Sequence, residues 1–71
     1  MQAHTIPVSA ENILDSAIAR IESPGIRGWA NDPHNRPLWL QFTESHVGKW
    51  GTDTDSVIRL STLIMCEAIG L

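Results

Sequence analysis

The chain has 71 residues, eight acidic against five basic, for a net charge of −3, and a single cysteine. A chain this short forms one domain that buries only about 60% of its unfolded surface, and one cysteine excludes an intrachain disulfide as reinforcement. The basic residues Arg20, Arg27, Arg36, Lys49 and Arg59 stand singly; a nucleic-acid binder needs them gathered, because phosphate neutralisation supplies most of its affinity.

In chain order, residues 1–7 are short and polar, with Ile6 as a candidate sheet-edge residue. Ser9 is a helix N-cap, with Val8 and Ile13 placed for a hydrophobic staple and Glu11 favoured in the first turn. Ile13, Leu14, Ala17, Ile18 and Ile21 fall on one stripe, with Asn12, Asp15, Ser16 and Arg20 largely opposite. That spacing predicts a one-sided helix of about four turns. Ser23-Pro24-Gly25 is its expected stop.

Asp32-Pro33-His34-Asn35 has the order of a type I turn followed by a left-handed residue. Ile26 to Ala30 lies before it and Leu38 to Thr43 after it. The second stretch alternates, with Leu38, Leu40 and Phe42 on one side and Trp39, Gln41 and Thr43 on the other. The pattern predicts a β-hairpin, with residues 46–50 as a candidate third strand. A competing reading makes Pro37 to Val47 a helix that starts near Asn35 and stops at Gly48. Gly25 and Gly28 read as turn and strand-crossing positions.

Asp53-Thr54-Asp55-Ser56 opens the last element, with a weak capping box from Thr52 to Asp55 and a left-handed stop at Gly70. Val57, Leu60, Ile64, Ala68 and Leu71 share one stripe. Ile58, Met65 and Ile69 form a second, with Cys66 beyond it. A helix apolar nearly all round needs cover on two sides. The expected fold is therefore α+β, helix, β-hairpin and helix, with the last helix packed on the sheet and on a second molecule; the alternative is an all-α three-helix domain.

Candidate chemistry is sparse. His4, His34, His46, Cys66, Asp32, Asp53 and Asp55 lack any short metal-ligand spacing, and no cofactor motif occurs. Cys66 sits within an apolar helix, where a thiol is ordinarily inert packing. Catalysis is not expected. The three tryptophans, Trp29, Trp39 and Trp50, are the best partner-binding anchors. On the hairpin reading, Trp39 is the one to be exposed. Asp32, Glu44, Asp53 and Asp55 would form an acidic patch if they share a face. Self-association is assigned to Ile58, Met65, Ile69 and Leu71.

Small, acidic chains with this motif-free composition resemble phage-encoded inhibitors of host machinery, anti-CRISPR proteins among them. The resemblance is one of size and composition. It implies a non-enzymatic protein-binding module that occludes a basic, nucleic-acid-binding surface of a partner. A dimeric transcription regulator or antitoxin and a small metal-binding domain are the alternatives. With no signal-peptide pattern or bilayer-length apolar run, the expected setting is the cytoplasm, as a homodimer bound to a protein partner without direct nucleic-acid or membrane contact. On that assignment, with Ile58, Met65, Ile69 and Leu71 as the self-interface, Ile69→Asp or Met65→Asp would halve the mass measured by light scattering while leaving the chain folded.

Overall fold

Three of the four helices begin where a short polar side chain takes up a free N–H group of the first turn; the third, which starts after Asn35, has no such cap. The computed structural model describes residues 9–70, so the expectations for Ile6, the Val8 staple, His4 and Leu71 lie outside it. It contains α1 (Ala10–Ala19), α2 (Pro24–Asn31), α3 (Arg36–Trp50) and α4 (Thr54–Ile69). The Ser9 hydroxyl accepts from the Asn12 N–H at 3.2 Å, that of Ser23 from Ile26 at 3.2 Å, and the Asp53 carboxylate from Ser56 at 3.0 Å. Gly70 closes α4 at φ 80°, ψ 25°, a left-handed conformation that costs glycine no Cβ clash.

The expected hairpin is not there. The described residues contain no strand, and the architecture is all-helical, on the side of the alternative reading but with four helices. Three local facts account for the difference. Ser23-Pro24 starts a helix instead of only stopping one, since proline at the first helical position lacks the N–H that would go unpaired anyway. The first helix has already ended at Arg20, and Gly25 and Gly28 lie within α2.

Asp32-Pro33-His34-Asn35 is a turn, but one that joins two helices, and Asn35, expected to be left-handed, is right-handed at φ −96°, ψ −35°, ready to enter α3. The Asp32 carboxylate accepts from the His34 N–H at 2.8 Å, and its carbonyl accepts from Asn35 at 2.8 Å and Arg36 at 2.8 Å. The third fact concerns the alternation at 38–43. In α3 the side chains turned inward include Thr43 and His46, which are polar, while Leu38 and Phe42 point outward. Trp39, Leu40 and Val47 pack partly on the core beside Thr43 and His46, so the inner side of α3 mixes polar and apolar residues and shows no clean helical stripe. The helix also continues past Gly48 to Trp50, so neither a third strand nor a stop at Gly48 occurs. At the start of α4 the cap is Asp53, not Thr52.

The core comprises Ile13, Leu14, Ala17, Ile18 and Ile21 from α1 and its end, Ala30 from α2, and Val57, Leu60 and Ile64 from α4. α1 packs against both α3 and α4. An ion pair from Arg36 to Asp15 at 2.7 Å ties the start of α3 to α1 on the surface. Such an exposed pair adds on the order of 0.5 kcal/mol. Removing buried Leu14 or Leu60, each fully enclosed, by substitution with alanine should cost about 2–5 kcal/mol. Leu38→Ala, at an outward position, should change stability by less than about 0.5 kcal/mol. Urea denaturation followed by circular dichroism measures both.

Candidate functional site

α3 carries Trp39, Phe42, His46 and Trp50 at spacings of three, four and four residues, which places them in one ridge along the helix. Trp29 from α2 begins the row and Arg59 from α4 ends it. Trp29 meets Trp39 edge-on with centroids 6.1 Å apart, and Trp39 meets Phe42 edge-on at 5.5 Å. Phe42 stacks on His46 at 6.1 Å, and His46 lies 6.4 Å from Trp50 at a tilt of 38°. The Arg59 guanidinium sits 4.0 Å over the Trp50 ring, within range of cation–π attraction.

His46 holds this row to α4. Its ring is buried, and Nε2 lies 3.0 Å from the Ser56 carbonyl oxygen. A carbonyl can only accept, so the ring carries a proton on Nε2 and donates it there. Ser56 in turn donates its hydroxyl to the Gly51 carbonyl at 2.7 Å. Gly51 adopts φ 86°, ψ −164°, a backbone conformation open essentially to glycine alone. The short connection between α3 and α4 is thus pinned at both ends, and α4 returns alongside α3.

The two helices together expose Leu38 (65%), Phe42 (43%), Trp50 (48%), Ile58 (39%) and Leu63 (38%). Three open recesses run between and along these residues. One of about 250 Å³ is lined by Trp29, Asn35, Leu38, Trp39, Phe42 and Glu67. A second of about 140 Å³ lies between Phe42, Ser45, His46, Lys49, Trp50 and Leu63. The largest, about 440 Å³, is bordered by Asp55, Ile58, Arg59, Thr62 and Leu63 alone. All five belong to α4, so it is the flank of one helix and not a cleft that would enclose a substrate. Phe42 borders the first two recesses and Leu63 the last two, so the recesses adjoin one another, with Ile58 about 140° round α4 from Leu63 on the far edge of the third.

The expected site residues are distributed unevenly over the face that the recesses outline. Trp50 is the exposed tryptophan; Trp39, expected outside on the hairpin reading, is half-buried against the core with Trp29. The four carboxylates do not form one patch. Asp32 and Asp53 cap turns at opposite ends of α3, a 15-residue helix spanning about 22 Å. Glu44 projects roughly 160° round α3 from Phe42 at 3.6 residues per turn, and only Asp55 borders the face. Of the self-association set, Ile58 borders the face, Met65 packs partly on the core, and Ile69 is 62% exposed at the end of α4. Leu71 lies outside the described residues.

Sequence reasoning passed over Leu38, Phe42, Lys49, Leu63, Glu67 and Arg59 as a set. The signal available was the i, i+4 pair Leu38 and Phe42, legible only once α3 is taken as a helix. Among the described residues, no group of three or more metal-capable side chains gathers, and no helix is long and apolar enough to cross a membrane. Comparison with protein-family models, with curated proteins and with solved structures finds no significant match for this chain.

The row of rings orders the tryptophans by access. In variants that retain one tryptophan each, acrylamide should quench Trp50 fluorescence most steeply and Trp29 and Trp39 less. Equal quenching of all three would contradict this arrangement.

Proposed function

We propose that this chain is a non-enzymatic protein-binding module that acts by covering a partner surface with the α3–α4 face. The observation that carries the reading is the grouping of Leu38, Phe42, Trp50, Ile58 and Leu63 on adjacent helices, outside a core that is complete without them. Together they expose on the order of 500 Å² of apolar surface, within the range of the largest patch on an ordinary monomer, which is often a functional one. Aromatic anchors held rigidly by their neighbours lose little conformational freedom on binding, and the ring row supplies that rigidity.

The inhibitor class that the chain resembles in size and composition fits this mode of action, since occlusion asks for a surface and no catalytic group. The net charge of −3 would speed encounter with a basic partner through long-range attraction. With Asp32 and Asp53 engaged as caps, the apolar face, and not an acidic track, is the binding element of this reading.

A photo-crosslinking amino acid placed at Phe42 in the native host tests it. Protein adducts at position 42, with none from the same label at Glu44 on the opposite side of α3, are the expected result. A label at 42 that captures no protein would remove the reading.

A further inference from the structure

We infer that the occupant of this face is a second copy of the chain, with α4 antiparallel to its counterpart about a two-fold axis at Leu63. The inference rests on the interaction-face reading above and gives the face a second copy of this acidic chain as its occupant, in place of a basic partner.

Arg59, Leu63 and Glu67 follow one another at four-residue steps along α4, and all three are exposed. Arg59 borders one end of the face and Glu67 the other. Each stands about 6 Å along the axis from Leu63, at 1.5 Å per residue. An antiparallel copy centred on Leu63 therefore sets Arg59 against Glu67 of the second copy, and Glu67 against its Arg59. A self-complementary surface of this kind is what an isologous interface requires.

Apolar packing follows the same symmetry. Phe42 shares a recess with Leu63, so it lies near the axis and approaches its own copy. Leu38 and Trp50 lie toward the two ends. The apolar area of about 500 Å² per copy is close to the non-polar share of a standard interface, which buries roughly 800 Å² on each partner. Two adjacent helices meeting two more would form a four-helix arrangement with a shared apolar seam. It would cover the side of α4 that its own chain leaves open.

Sedimentation equilibrium on the whole, untagged chain tests this at physiological salt, where net repulsion between two acidic copies is largely screened beyond about 8 Å. The wild type should reach a dimer in the micromolar range. Arg59→Glu and Glu67→Arg each place like charges in register, and each should weaken the dimer at least tenfold with its helical circular dichroism retained. Mixed in equal amounts, the two variants should associate again, because in the mixed pair both contacts are opposite in sign. Native mass spectrometry distinguishes that heterodimer from either homodimer by mass.

A wild type that stays monomeric through high micromolar concentration would overturn the inference. So would a dimer indifferent to both substitutions, or variants that fail to recombine. In any of these cases, adducts of other proteins at position 42 would leave the interaction face standing with a different occupant. Loss of those adducts as well would remove both.

Discussion

The hydrogen bond from the His46 ring to the Ser56 carbonyl decides how the second half of the chain is assembled. The inward side of α3 is polar at its two most buried positions, Thr43 and His46, and each has a partner. Thr43 donates its hydroxyl to the Trp39 carbonyl one turn back, at 2.6 Å. His46 reaches across to the first turn of α4. A buried polar group without a partner costs on the order of 1–3 kcal/mol; Thr43 carries its acceptor on its own helix, and His46 can turn inward only where the Ser56 carbonyl waits. Leu38 and Phe42 then fall toward the outer side of α3, while Trp50, one turn past His46 on the same ridge, is exposed at the last residue of the helix.

This arrangement also explains what could be read from the residues alone. α1 and α4 were legible because cap and stripe agreed: Ser9 with the Ile13–Ile21 stripe, although α1 ends at Ala19, short of the expected stop at Ser23-Pro24-Gly25, and Asp53 with Val57, Leu60, Ile64 and the stop at Gly70. α2 and α3 were not, because their local chemistry was ambiguous. Asp32-Pro33-His34-Asn35 serves a helix–helix joint as well as a hairpin, since both need the same carboxylate and proline geometry. Leu38, Leu40 and Phe42 suggested a strand face because apolar residues are assumed to point inward. Here tertiary contacts from His46 overrode that assumption. The candidate site suffered in proportion, since its main members lie on the helix mistaken for strands.

Size sets the remaining constraint. The core draws on three helices and holds mostly aliphatic residues of α1 and α4. α3 adds half-buried Trp39, Leu40 and Val47 around it, along with its polar inner positions. A domain this small is marginal without some reinforcement. Much of the chain's large apolar surface is nonetheless on the outside, on α3 and on the flank of α4. Stability and association are therefore coupled in this molecule, since whatever covers the face binds only the folded form and shifts the folding equilibrium with it.

The joint between α3 and α4 bears on how the chain can change over generations. Gly51 gives its N–H to the Val47 carbonyl and its own carbonyl to Ser56, while Asp53 caps the helix that follows. Every residue of that connection except Thr52 has an assigned task, and their spacing keeps Phe42 level with Leu63. An insertion there would slide one helix past the other and scatter the face. The connection between α1 and α2 is held as well, by Ile21 in the core and Ser23 as the cap of α2, so exposed Glu22 between them is where an added residue would disturb least.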